Sequence, residues 1–240
     1  MPLLTRKLAH ARRLDLMPAG SLPMAQIQHS RPLRIALVTE YYYPHLGGIC
    51  EHVHFFAREA RRYGHQVDII TSNIPGARPE PHVVRIGKSQ PVYANGSQAR
   101  FTWGWELRKD IKRVFSLGQY DIIHVHSPLS PVLPVLAIEE ANCPVVGTFH
   151  TYFDRSFFYT IGNRYFQKRL DQLDAAIAVS HSTTIALNRY FEANWTIVPN
   201  GIDTDVFNPH VPRPAALRTD VPVILFLGRF DPRNGLTTLI

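Results

Sequence analysis

The 240 residues predict an α/β fold, a mainly parallel sheet with helices on both faces. Three observations carry this. Short apolar runs of strand length recur along the chain, starting with Arg34-Ile-Ala-Leu-Val-Thr39. Stretches with apolar residues at helical spacing separate them. The first strand and the first helix are joined by a loop that ends in Gly47-Gly48. Strands alternating with helices favour a parallel sheet covered on both sides. Such sheets take ligands at the carboxyl ends of their strands.

The elements follow in order. After the strand 34–39 comes the loop Glu40-Tyr-Tyr-Tyr-Pro-His-Leu-Gly-Gly48. Ile49, Val53, Phe56 and Ala60 then recur at helical spacing, and Gly64 is a natural C-terminal cap. Residues 67–71 read as a second strand, which completes a βαβ unit. Residues 82–86 read as a short strand. The spacing of Trp103, Leu107, Ile111, Val114 and Phe115 predicts an amphipathic helix over 103–117. Strands are expected at 121–126, 144–150, 175–180 and 196–199, with helices at 131–141, 165–173 and 183–191. Pro209, Pro212 and Pro214 mark a linker. The apolar run 221–227 reads as the first strand of a second unit, followed by a Gly-rich loop.

This divides the chain into a basic disordered tail (1–33), a Rossmann-like domain (34–215), and a linker with the first strand and loop of an incomplete domain (216–240). The tail holds Arg6, Lys7, Arg12, Arg13 and Arg31 against Asp15 alone, more than half of the net charge of +7. A basic body suits an anionic partner, whether phosphate, lipid surface or nucleic acid. Hydrophobic residues make up 45% and charged residues 19%, enough for a core, so wholesale disorder is excluded. With only Cys50 and Cys143, so are a disulfide scaffold and a multi-cysteine zinc site, and a reducing setting is expected. No apolar run approaches the about 18 residues of a membrane-spanning helix.

Candidate functional residues sit at strand ends. Gly47-Gly48 precedes a helix, where free N–H groups and missing side chains admit an anion, although a tight turn explains the pair equally well. The motif G-x-G-x-x-G is absent, which argues against a dinucleotide-binding dehydrogenase. His124 and His126 share one strand face, but no ligand spacing completes a zinc site around them. His150 lies in Thr148-Phe-His-Thr151 at the ligand-binding sheet edge. Arg229 follows Gly228, where a guanidinium could grip a diphosphate. Arg155, Lys168 and Arg169 interleave with Phe157, Phe158, Tyr159, Tyr165 and Phe166. Arg108, Lys109, Lys112 and Arg113 line the 103–117 helix. Each basic set reads either as a membrane or nucleic-acid face or as an ordinary solvated one. Asn95-Gly-Ser97 and Asn194-Trp-Thr196 match the glycosylation pattern, and with no secretion signal read in these residues both are expected to be chance matches.

Several motifs carry a resemblance in the same order and spacing. They are the strand and loop 39–48 with its helix, Tyr93-Ala-Asn-Gly-Ser-Gln-Ala-Arg100, His124-Val-His-Ser-Pro128 and Gly147-Thr-Phe-His-Thr151. Val198-Pro-Asn-Gly-Ile-Asp203 and Leu227-Gly-Arg-Phe-Asp231 complete the set. From residue 34 to 240 the chain resembles the N-terminal half of family 4 retaining glycosyltransferases of GT-B fold. It looks most like the phosphatidylinositol mannosyltransferase branch. The resemblance implies a hexosyl group, mannose above all, passing from a nucleotide-sugar donor to a lipid or polyol-type acceptor. It implies no bound metal and no other cofactor. His150 and Arg229 take the catalytic places, beside the transferred sugar and the leaving diphosphate. Tyr41, Gly47, Gly48, Asn95, Thr151, Arg155, Asn200 and Arg233 take substrate-binding places.

Two departures stand out. Asn234 occupies the usual place of a Lys, with Arg233 before it as a substitute. Cys50 stands where the inositol-lipid branch commonly has Gln. The expected setting is cytoplasmic, with peripheral contact at the cytosolic membrane face and no nucleic-acid partner. The rival expectation is a truncated, non-catalytic remnant that binds acceptor or membrane only.

Overall fold

The computed structural model describes residues 31–94, 97–218, 221–228 and 235–240. The tail expected at 1–33 therefore lies almost wholly outside the described residues. So do Asn95, Arg229, Arg233 and Asn234.

In chain order the sheet strands are β1 (Arg34–Thr39), β2 (Gln66–Ser72), β3 (Val83–Ile86), β6 (Ile122–His126), β7 (Val145–Phe149), β8 (Ala175–Ala178) and β9 (Trp195–Ile197). A separate antiparallel hairpin is formed by β4 (Lys88–Ala94) and β5 (Ser97–Trp103). The main helices are α1 (Gly48–Arg62), α2 (Leu107–Gly118), α3 (Leu133–Glu139), α4 (Phe157–Ile161), α5 (Asn163–Leu170) and α6 (His181–Leu187). Among the described residues one parallel sheet runs in the order β3-β2-β1-β6-β7-β8-β9. The order reverses between β1 and β6. Connections leave in opposite directions there and open a crevice at the carboxyl ends of the strands.

Period-two alternation explains why both faces are covered. Ala36 and Val38 join Ile70, Ile123 and Val125 under Ile111 and Phe115 of α2 and Leu133 and Ala137 of α3. Ile35 and Leu37 join Val67 and Ile69 under Val53 and Ala57 of α1. A third cluster places Phe149 and Ala176 against Leu170 of α5 and Leu187 of α6. Each fully buried aliphatic side chain contributes about 1.5–3 kcal/mol. Helix α1 ends as expected, with Gly64 at φ 88° donating its N–H to the Arg61 carbonyl.

Three expectations need correction. Trp103 closes β5 and is half exposed, and the helix begins only at Leu107. The hairpin captures Trp103 by pairing it with Lys88. Helix α4 lies in a stretch to which the sequence reading assigns no element. The run 221–227 joins no ladder among the described residues, and Ile224 and Leu227 are 76% and 94% exposed. An apolar, β-prone run becomes a strand only when its backbone finds a partner.

One buried carboxyl ties three elements. Glu40, next after β1, accepts hydrogen bonds from the Thr102 hydroxyl on β5 and from the Leu133 N–H (2.9 Å) at the start of α3. Its own carbonyl accepts from Ser72 Oγ (3.2 Å) at the end of β2. Burial pushes its pKa from 4.5 up to about 7, against the opposing pull of those two donors. The unfolded chain ionises at lower pH than the fold does. The contribution is therefore fully present below 4.5 and is lost as pH rises through about 7. The linked free energy is on the order of 3 kcal/mol. Urea unfolding from about pH 5 to about pH 8 tests this. Relative to Glu40→Gln, the wild-type chain should lose stability across that range. A constant difference between the two would contradict it.

Candidate functional site

The loops that leave β1, β6 and β7 meet at the carboxyl edge, on either side of the crevice. The first carries Tyr41, Tyr42 and Tyr43, each anchored. Tyr41 N donates to Thr39 Oγ1 (3.2 Å), and its hydroxyl accepts from Arg100 N (3.4 Å) of the hairpin. Tyr42 Oη and His54 Nδ1 share a hydrogen bond of 3.0 Å, and Tyr43 Oη donates to Glu51 (2.6 Å). The Arg85 guanidinium donates to the Tyr43 carbonyl (2.8 Å) and pairs with Glu80 (3.1 Å). The loop is thus held to α1, to β3 and to the hairpin.

Gly47 is extended (φ 168°, ψ 162°), a conformation open to any residue. A Cβ on Gly48 would meet nothing within 4 Å, and one on Gly47 only His45 Nε2 at 3.9 Å. The turn therefore does not require these glycines. Their effect is open space above the first turn of α1, whose end has no side-chain cap. Free N–H groups and the partial positive charge of a 15-residue helix face that space.

Beneath α1 lies a layer of histidines. Strand β6 turns His124 and His126 to the face that Leu37 shares, the α1 face. His124 Nε2 bonds Thr148 Oγ1 (2.7 Å). His126 Nδ1 bonds Nε2 of His150 (3.0 Å), the residue that follows β7. His52 of α1 completes the group, its ring centroid 5.4 Å from that of His126 and 4.9 Å from that of His150. Phe56, one turn on, stands edge-on to His124 at 5.3 Å. Burial, and then mutual repulsion among the rings, lowers His124 to about 4 and His150 to about 3 and puts His126 well below the usual range. Burial also lowers His52. All four are neutral imidazoles at pH 7. Nε2 of His126 is buried without a partner, which costs about 1–3 kcal/mol.

Of the expected residues, the structure brings Tyr41, Gly47, Gly48 and His150 to one sheet edge. Thr151 follows His150 and is exposed. Asn200 is exposed beyond β9, and three residues later Asp203 pairs with Arg58 in the C-terminal half of α1 (2.9 Å). Arg155 is exposed ahead of α4. His52 escaped the sequence reading. Its signal was the i, i+4 pair with Phe56, one step from the buried Val53 and Ala57.

The basic rows are largely spoken for. Arg108 of α2 pairs with Glu139, the last residue of α3, and with Glu140 just after it (2.5 Å to Glu139), and Lys112 reaches Glu140 (3.1 Å). Arg169 pairs with Glu139 and stacks 4.3 Å over the Tyr165 ring, so it is a clamp rather than part of a free basic face. Among the described residues, Phe157, Phe158 and Ile161 of α4 are exposed, and Arg155, Arg164 and Lys168 nearby in the chain are exposed too.

Residues 46–206 match the family model of glycosyltransferase family 4. The phosphatidyl-myo-inositol mannosyltransferase of Mycolicibacterium smegmatis is 30% identical over 209 residues, 87% of this chain and 54% of that protein. Its counterpart from Propionibacterium freudenreichii is 31% identical over 221 residues, 86% of this chain and 56% of that one. The solved sucrose-phosphate synthase of Thermosynechococcus elongatus superposes with a TM-score of 0.61 at 21% identity, over 85% of this chain and 58% of that one. That likeness concerns the fold, the Rossmann-like layer of GT-B glycosyltransferases. The chain spans about half the length of the curated relatives it matches. With its sheet, its glycine loop and more than half of its length inside the family model, the chain belongs to glycosyltransferase family 4.

Proposed function

We propose that this chain is the acceptor-side part of a retaining glycosyltransferase, which moves mannose from a nucleotide sugar to an inositol-phospholipid acceptor. The observation that carries the reading is the neutral His150 placed across the crevice from the open, uncapped start of α1. Support for the acceptor class comes from the two mannosyltransferase relatives.

In this reading the donor diphosphate lies over Gly47 and Gly48, where backbone N–H groups and the helix end favour negative charge. The bond between the sugar C1 and the diphosphate oxygen breaks, and an acceptor hydroxyl forms the new C1–O bond on the same face. Its proton passes to the departing diphosphate. His150, uncharged, presents one hydrogen-bonding nitrogen to a sugar hydroxyl without adding charge beside an oxocarbenium-like centre. Tyr41, Asn95, Thr151, Arg155 and Asn200 line the acceptor side. Arg229 and Arg233 neutralise the leaving group, so the reaction needs no metal. The exposed apolar and basic side chains at α4 rest on the cytosolic membrane face. No described helix is long and apolar enough to cross a membrane.

His150→Ala in the full-length protein should lower turnover by about 10²-fold, the usual cost of one preorganised polar contact. Its far-UV circular dichroism should match wild type. Unchanged turnover removes His150 from the catalytic role. A non-catalytic remnant instead predicts no transfer from any GDP- or UDP-sugar by the full-length protein.

Gly48→Ala separates ligand access from backbone need. The space is open and alanine favours helix, so the unfolding midpoint should hold or rise slightly. The donor KM should rise about tenfold, a loss near 1.4 kcal/mol. A lower midpoint with unaltered KM would assign the glycine to folding instead.

Co-sedimentation with anionic vesicles tests the α4 surface. The double change Phe158→Ser and Ile161→Ser should release wild-type-like protein into the supernatant. Equal pelleting of both would move membrane contact elsewhere.

A further inference from the structure

We propose that His52, His126 and His150 form a binding site for one divalent transition-metal ion, with zinc as the best-suited cation. One ring nitrogen from each of the three lies within 4.8 Å of the other two. The closest pair, His126 Nδ1 and His150 Nε2, is 3.0 Å apart. Two nitrogens at about 2.0 Å from a tetrahedral zinc are separated by about 3.3 Å, so this pair already has the required bite. His52 is half-exposed on α1 and closes the remaining distance by side-chain rotation.

The donor set selects the ion. Three imidazoles without a carboxylate suit zinc, copper or nickel and suit magnesium or calcium poorly. The rings are neutral, as metal ligation requires. Neutral rings bind without net proton release, because a hydrogen displaced from a ligating nitrogen moves to the other nitrogen of the same imidazole. His126 is fully buried, so its ring is held in place and its Nδ1 keeps a fixed direction toward His150. His124, stacked on His126 at 4.4 Å and bonded to Thr148, backs the site without joining it. Half-exposed His52 and His150 leave one side open, so a water or hydroxyl oxygen can complete four ligands.

The consequence for activity differs from the usual role of an enzyme-bound metal. An ion on His150 stands where the transferred sugar is placed above, so it competes with the donor. This inhibition, unlike the binding itself, rests on the transferase reading.

The test is metal binding by the metal-stripped chain, followed by calorimetry with Zn2+ and by visible absorption with Co2+. Wild type should take up one ion and give the intense visible bands of four-coordinate cobalt. His52→Ala and His150→Ala should each weaken binding by about tenfold or more and abolish those bands. His181→Ala, an exposed histidine elsewhere, should change neither. Absence of stoichiometric uptake, or wild-type affinity in both site variants, overturns the proposal. So does a cobalt spectrum showing only six-coordinate, water-like bands. If zinc binds as described yet leaves transfer unaffected, the site stands and the placing of the sugar on His150 falls.

Discussion

The geometry of the site depends on a single buried carboxyl group. Glu40 sits where β1 gives way to the glycine-bearing loop, and it binds both the hairpin and the first N–H of α3. The residue just before that N–H, Val132, adopts φ 80°, which is unfavourable for a β-branched side chain and typically costs about 1–3 kcal/mol. The fold keeps this strained turn where it presents Leu133 to Glu40. A carboxyl so deeply buried is itself expensive to charge. The loop is therefore anchored by a group that works best when protonated, and the three tyrosines fasten the rest of it.

Burial also sets the chemistry of the histidine layer. In water these rings would be partly charged near neutrality. Packed between β6, β7 and α1, His124, His126 and His150 stay neutral because each would have to be charged away from solvent and beside the other rings, while burial alone lowers His52. Neutrality suits hydrogen bonding to a sugar and ligation of a borderline cation such as zinc alike. It makes the layer poor at general-acid work.

Much of this was legible beforehand because it rests on short-range pattern. The short apolar runs 34–39 and 121–126, the glycine after α1 and the histidines at strand ends each reflect local rules of composition and capping. The rest depended on partners far along the chain. The hairpin was signalled by Asn95-Gly96, a favoured two-residue turn, but Pro91 within its first strand obscured the pattern. Trp103 fitted a helical stripe until strand pairing took it. His52 reads as a solvated helix residue unless β6 is known to lie below. For 221–227 apolar composition suggested a strand, but composition cannot supply the neighbour that a strand needs.

Helix α3 has a role that its short length does not suggest. Glu139 and Glu140 engage cations from two other helices, Arg108 and Lys112 on one side and Arg169 on the other. Formal charge is thus a poor map of where this surface attracts anions. Several of its positive groups spend their field internally, tying helix to helix. Among the described residues, Arg155, Arg164 and Lys168 around α4 remain exposed, so an approaching anion meets particular local groups rather than an even share of the total of +7.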